Sequence, residues 1–265
     1  MITHNSIGYS GRLGNQMFQY ATLKAVSLET NLPCFIPDNT KIKLDGAFDF
    51  TNNEWIKYKL DLLDGFEITT SLLNVQSNLL YQEKGFMFES EIFDINDNTA
   101  IEGYFQSYKY FDKYKEHILN EFTFKKEILD KCYNIISKYQ NAVSIHVRRG
   151  DYVKHPGFWT VTPEYLQEAL NQFTNQEYTF LIFSDDIKWC EQIFPEGVVF
   201  IKDNNQFEDL CLMSLCQHNI IANSSYSWWG AYLNKNENKR VIAPSNWFTN
   251  PKPLNDLYPK NWITI

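Results

Sequence analysis

The chain has 265 residues, 44% of them hydrophobic and 21% charged, a balance that supports a substantial core in one large domain or in two of about 130 residues each. A formal net charge of −8 excludes a broad nucleic-acid surface, because such surfaces neutralise phosphates with excess Lys and Arg. Five cysteines (Cys34, Cys132, Cys190, Cys211 and Cys216) form no C-x-x-C pair, which argues against both a zinc site and a disulfide framework. Met1-Ile2-Thr3-His4 opens without a basic and apolar leader, and no apolar run reaches the roughly 18 residues that span a bilayer. The expectation is a soluble, reduced, cytoplasmic protein, with peripheral attachment to a membrane left open.

In chain order, Gly8, Gly11 and Gly14 punctuate the start, and Met17, Tyr20, Ala21, Ala25 and Leu28 then recur on one helical face. Asn15 is the expected N-cap, and a glycine-rich turn feeding a helix offers backbone N–H groups to an anion. Residues 40–110, rich in Asp, Asn, Lys and aromatics, carry no firm element assignment. A helix follows from Lys126 to Tyr139, with Ile128, Leu129, Cys132, Ile135, Ile136 and Tyr139 on one stripe.

Beyond it, short apolar runs at Ala142–Val147, Phe180–Phe183, Val198–Ile201, Asn219–Ala222 and Arg240–Ala243 read as strands with helices between them. One helix is announced by Thr162-Pro163, a cap followed by proline at the first helical position. This alternation argues for a parallel sheet in an α/β domain. Polar clusters stand directly after four strands: His146 to Asp151, Ser184-Asp185-Asp186, Lys202-Asp203-Asn204 and Asn223-Ser224-Ser225. Ligands of open α/β sheets bind beyond the carboxyl ends of the strands, so these clusters should converge on one crevice.

Arg148 and Arg149 leave a strand together. A guanidinium fork holds two phosphate oxygens at once, although a surface salt bridge to Asp151 would also account for the charge. His146 is either a satisfied core histidine or a site residue, and two neighbouring arginines should keep it neutral. Asp185 and Asp186 could bind a metal, contact a base or ribose, or cap the next helix. The sequence has no D-x-D, the arrangement of metal-dependent nucleotide-sugar transferases, and guanine presents donors that a carboxylate accepts. Ser224 and Ser225 at a helix start suit a phosphate, whereas Trp228-Trp229 reads as packing. No G-x-S-x-G elbow and no G-x-x-x-x-G-K-[ST] loop is present.

These segments together resemble the α-1,2-fucosyltransferase family. The resemblance is carried by Gly11-Arg12-Leu13-Gly14-Asn15-Gln16-Met17-Phe18-Gln19-Tyr20-Ala21, Glu102-Gly103-Tyr104-Phe105-Gln106-Ser107, Ser144 to Tyr152, Phe183-Ser184-Asp185-Asp186 and Ile221 to Ala231, in order along nearly the whole chain. It implies a GT-B-like α/β fold of two Rossmann-like halves facing across a cleft, an acceptor-side half over 1–125 and a donor-side half over 126–265. It further implies GDP-β-L-fucose as donor, a galactose-terminated glycan as acceptor, inversion, and no metal or other cofactor. By the same resemblance Arg148, with Arg149, grips the β-phosphate, and His146 with Asp185 or Asp186 contacts guanine. Ser224 and Ser225 hold phosphates, and Gly14 and Asn15 approach the phosphates and fucose. The general base is left open between Asp151, His155 and substrate-assisted or base-poor catalysis, and acceptor selection falls in 40–110. Another linkage, a protein acceptor, or a non-catalytic binder on the same fold are the competing readings.

Overall fold

In a computed structural model, residues 1–38, 59–174, 177–250, 252–254 and 256–265 are described, together with the backbone of two short strands at 48–49 and 54–55. Part of the stretch expected to select the acceptor, at 40–47, 50–53 and 56–58, therefore lies outside the described residues. The chain forms two units, Met1–Thr123 with Pro253–Pro259, and Phe124–Lys252 with Lys260–Ile265. Segment Pro253–Pro259 thus differs from the expected halves. Its anchor is Asp256, which is buried, accepts from the backbone N of Phe88 at 3.0 Å and pairs with Lys109.

The first unit contains β1 (Ile2–His4), α1 (Leu13–Thr30), β2 (Cys34–Phe35), the antiparallel pair β3 (Phe48–Asp49) and β4 (Glu54–Trp55), α2 (Leu62–Gly65), β5 (Leu79–Gln82), β6 (Thr99–Glu102) and α3 (Lys115–Glu121). Its parallel sheet runs β2-β1-β6-β5, with Ile2 opposite both Cys34 and Thr99. Helix α1 starts earlier than its apolar periodicity indicated. Arg12 is the N-cap and Asn15 lies inside the first turn, where its Oδ1 accepts from Gln106 Nε2 at 2.8 Å. Gly11, at φ +89°, makes this entry: a Cβ there would lie 2.4 Å from Asn15 Nδ2. Gln16 and Gln19 are fully buried and brace the turn. Gln16 bonds the carbonyls of Gly11 and Lys59, and Gln19 those of Ser10 and Gly103. Deeper in α1, Tyr20 donates to buried Glu121 at 2.6 Å, and Lys24 pairs with the same carboxylate at 2.8 Å.

The second unit contains α4 (Lys126–Ile136), β7 (Ala142–Val147), α5 (Pro163–Leu170), β8 (Thr179–Ser184), α6 (Ile187–Ile193), β9 (Val199–Phe200), α7 (Gln206–Leu215), β10 (His218–Ile220), α8 (Ser225–Tyr232), β11 (Val241–Ala243) and β12 (Ile263–Thr264). All six strands are parallel, in the order β12-β11-β10-β7-β8-β9. Central strand β7 is buried at every position, and Val143, Ile145 and Val147 pack with Ile182, Ile220 and Ile242 beneath α5. Each such side chain contributes about 1.5–3 kcal/mol by leaving water. Thr162 caps α5 through the Tyr165 N–H with Pro163 in the first turn, as the sequence indicates. Trp228 and Trp229 are fully buried packing residues.

One consequence of this order fixes where a ligand can sit. Chain progression runs outward from β7 to β8 and β9, then resumes on the other flank with β10, β11 and β12. The reversal falls between β7 and β10, the topological switch point at which doubly wound sheets open a crevice. Among the described residues, no helix is long and apolar enough to cross a membrane.

Candidate functional site

At the carboxyl end of β7 the backbone leaves the sheet through Arg148 and Arg149 into a short 3-10 turn, Gly150–Lys154. Arg148 Nη1 lies 2.7 Å from Asp185 Oδ2, its Nη2 pairs with Asp151, and its guanidinium stands 5.2 Å from the centre of the Tyr152 ring. Arg149 Nε lies 3.1 Å from Asp186 Oδ2, and its guanidinium covers Trp189 at 4.0 Å. The Arg149 backbone N–H also donates to Asp185 Oδ1 at 2.9 Å. Asp186 in turn caps α6 by accepting from the Trp189 N–H at 3.2 Å. Salt bridging and helix capping, both weighed for these residues, are therefore realised. The close approach needs glycine at 150, since a Cβ there would fall 2.5 Å from Asp185 Oδ2.

His146, the fifth residue of β7, is 6% exposed, its Nδ1 buried and without a hydrogen-bond partner among the described residues. Burial first, and then the charge of Arg148, pull its pKa down to about 3, so it stays neutral. Charge proximity implies the same state, but the larger cause is desolvation. The Tyr226 ring from α8 lies 5.6 Å from His146 and donates its hydroxyl proton to the Gln206 carbonyl at the start of α7. Also on α7, Asp209 is partly buried, and burial pushes its carboxyl up to about 6 against the bond it accepts from Asn204 Nδ2 at 3.1 Å. Asp209 and Tyr226 were not among the sequence-based candidates. The capping box of Asn205 and Glu208 marks the helix start, yet nothing in the local pattern distinguishes Asp209 from an ordinary first-turn acid.

Next to β7, strand β10 leads through Ile221 and Ala222 to Asn223-Ser224-Ser225. Ser224 is a nearly buried N-cap whose side chain makes no capping bond, and Ser225 opens α8. Asn223 is fully buried and ties down two loops, donating to the carbonyls of Trp159 at 2.6 Å and Trp247 at 2.9 Å. His155 lies in the first of these loops, with its ring 4.5 Å from Phe158 and its Nδ1 accepting from the Gly157 N–H at 3.0 Å. The structure thus links Arg148, Arg149, Asp151, Asp185 and Asp186 directly, with His146 on β7 two residues before Arg148 and Ser224 and Ser225 at the start of α8, after the neighbouring strand. Gly14 and Asn15 belong to the first unit, in the first turn of α1, where Asn15 accepts from Gln106.

An arginine fork, hydroxyls at a helix start and a neutral buried imidazole at a switch point are groups that can hold an anion and a nucleobase. The chain is 32% identical to alpha-1,2-colitosyltransferase of Escherichia coli over 97% of each protein. It is 30% identical to galactoside 2-alpha-L-fucosyltransferase SEC1 of Bos taurus, covering 86% of this chain and 64% of that protein. Its fold resembles the crystal structure of fucosyltransferase NodZ from Bradyrhizobium, with a TM-score of 0.55 over 86% of this chain and 92% of that one at 11% identity. That likeness bears on the fold alone, and with the two parallel-sheet units it establishes the expected GT-B-like class. The family model for glycosyl transferase family 11 matches residues 1–265, and the chain accordingly belongs to that family and is a glycosyltransferase.

Proposed function

We propose that this chain transfers L-fucose from GDP-β-L-fucose, with inversion, to the 2-hydroxyl of a terminal β-galactose. The observation that carries the reading is the paired arginine fork at the β7–β10 switch point, set in a family whose relatives are named for α-1,2 transfer and for galactosides. Arg148 takes the β-phosphate and Arg149 supports it, with Ser224 and Ser225 on the remaining oxygens. As the bond from fucose C1 to phosphate stretches, charge grows on the departing GDP, and the fork neutralises it in place of a metal ion. Asp185 and Asp186 favour this division of labour, because each is already engaged by an arginine rather than presenting its lone pairs to a cation.

The same pairing moves the guanine role. With Asp185 and Asp186 committed to the arginines, the carboxylate that suits guanine is Asp209. Partial burial raises the energy of its charge, and guanine N1–H and its 2-amino group would supply two further donors to it. Orphaned His146 Nδ1 supplies a second polar contact. A reducing, cytoplasmic setting goes with this reading, the five cysteines being free thiols, four of them buried.

The test is GDP release from GDP-fucose with and without lactose or N-acetyllactosamine. Release that depends on the galactoside supports the proposal. Tight GDP binding with no transfer to any galactoside would overturn it. Running the 3-deoxy sugar donor GDP-colitose alongside reads which sugar the site prefers, a comparison prompted by the colitosyltransferase relative.

A further inference from the structure

The first unit holds a cavity of its own, about 280 Å³ in volume and lined by Thr3, Asn5, Tyr9, Pro37, Asn74 and Val75. Its lining begins on β1 at Thr3 and continues with Asn5 and Pro37, which stand just past the carboxyl ends of β1 and β2. Open α/β sheets receive their ligands at such ends. Thr3 is buried while Asn5 and Asn74 are exposed, so the cavity has a closed base and an open mouth. Hydrogen bonds fix its walls. Thr3 Oγ1 donates to the Phe35 carbonyl at 3.0 Å, and the Asn5 backbone N–H to the Ile101 carbonyl at 3.1 Å. Ile36 is bridged to Leu72 and its carbonyl accepts from the Leu73 N–H at 2.9 Å, which brings Asn74 and Val75 alongside Pro37. Asn74 Oδ1 accepts from the Asp38 N–H at 3.0 Å. Gly8, at φ +81°, turns the chain into Tyr9, whose N–H donates to the Ser6 carbonyl at 2.9 Å.

None of the lining residues is charged, so the cavity offers no counter-ion to a phosphate or a carboxylate. Its polar groups are neutral and directional. The Tyr9 hydroxyl and the Asn74 amide nitrogen have no hydrogen-bond partner among the described residues, and the Asn5 amide spends only a long 3.4 Å contact on Glu102. Burial raises the Tyr9 pKa above its ordinary value, so the hydroxyl keeps its proton to donate. A phenol both donates and accepts, and a primary amide donates twice and accepts at its oxygen. Pro37, Val75 and the Tyr9 ring supply apolar surface. A few polar groups set in an apolar wall is the make-up of small-ligand sites, and this volume lies near the lower end of their range of about 300–1,000 Å³. The set fits a pyranose, whose hydroxyls each donate and accept and whose ring carbons present C–H faces. It does not fit a nucleoside diphosphate.

We infer that this cavity binds an uncharged pyranose of the acceptor glycan, with Tyr9 and Asn74 reading its hydroxyls. The inference rests on the proposed fucosyl transfer. It assigns part of acceptor selection to residues 3–9, upstream of the stretch at 40–110 in which it was expected, and part to Asn74 and Val75 within that stretch.

The test follows acceptor and donor separately in the whole chain. Saturation-transfer NMR titrates lactose and N-acetyllactosamine against the wild type, Tyr9→Phe, Asn74→Ala and Asn74→Trp with GDP present, and calorimetry measures GDP itself. Asn74→Trp puts an indole at the mouth of the cavity and should raise the galactoside Kd about tenfold or more, with a parallel rise in acceptor KM. Tyr9→Phe keeps the ring and removes only the hydroxyl, so the galactoside should bind about three- to tenfold more weakly. With Asn74→Ala it also decides the matter if the Trp variant does not fold. The Kd for GDP should stay within about twofold of wild type throughout. Galactoside affinity within about twofold of wild type in the variants, no saturation transfer to either galactoside in the wild type, or a matching loss of GDP affinity would overturn the inference. If the wild type binds a galactoside, Asn74→Trp loses it and no fucose is transferred, the cavity stands and the transfer reading fails. Transfer by the wild type with unchanged acceptor affinity in the variants does the reverse.

Discussion

Replacing Asp209 by Asn perturbs the site in two opposite directions, and both can be sized from the structure. Burial raises this carboxyl from its ordinary 3.8 to about 6, which corresponds to roughly 2–3 kcal/mol spent on holding the charge in the unliganded fold. The sign follows from linkage. A raised folded-state pKa means that this group's contribution is most favourable below about pH 4 and is lost as pH rises through about 6. Without GDP, Asp209→Asn should therefore be more stable than the wild type at pH 7.5, by about 1–2 kcal/mol once the altered bond to Asn204 is allowed for. With GDP the order reverses, because two charge-assisted bonds to guanine are lost or weakened. At about 1.5–3 kcal/mol, that loss weakens Kd by roughly 10- to 150-fold.

Calorimetric titration of GDP from pH 5 to 8 reads both effects. The diphosphate itself titrates in this range, so the informative quantity is the ratio of variant to wild-type Kd. That ratio should be largest above pH 6 and shrink as pH falls through it, where the wild-type carboxylate is protonated. A ratio within twofold of one at pH 7.5, or one independent of pH, would refute the assignment of guanine to Asp209.

Arg148→Ala should lose about 3–4 kcal/mol of transition-state stabilisation, a few orders of magnitude in kcat, and Arg148→Lys should be nearly as damaging because a point charge cannot replace the fork. Steady-state kinetics with a melting curve as fold control checks both. Gly150→Ala drives a methyl to 2.5 Å from Asp185 Oδ2, so GDP affinity should drop about tenfold or more as the Arg148–Asp185 contact shifts. Titration of the folded variant measures this. Tyr20→Phe removes the 2.6 Å bond to Glu121 in the first unit. It should cost about 1–2 kcal/mol in chemical denaturation, with GDP affinity unchanged.

The second unit was largely legible from sequence because each strand is a short apolar run closed by polar residues, and parallel burial makes such runs continuous. Ala142–Val147 coincides with β7, and the Thr162-Pro163 start coincides with α5. The first unit was less so. Helix α1 begins at Leu13 because the left-handed Gly11 turns the chain there, a backbone cause that apolar spacing does not report. Gln16 and Gln19 stand in the family-like stretch with no role readable from the sequence, and the structure makes both buried braces of the preceding turn. In the second unit the exception is strand β12, two exposed residues too short to carry a period. Within the site, Arg148, Arg149 and the paired aspartates were readable because charge at a strand end has few structural uses. Asp209 was not, because its difference from any first-turn acid is its burial, which depends on packing around α7 and Tyr226.

The central claim is settled most directly by the structure of the product. The chain is incubated with GDP-β-L-fucose and N-acetyllactosamine, and the purified trisaccharide is examined by proton and carbon NMR. Fucose joined through an α-anomeric carbon to O2 of the galactose, with equimolar GDP released, is the expected result. A β-linked fucose, attachment at any other position, or GDP release as hydrolysis without a trisaccharide would contradict it.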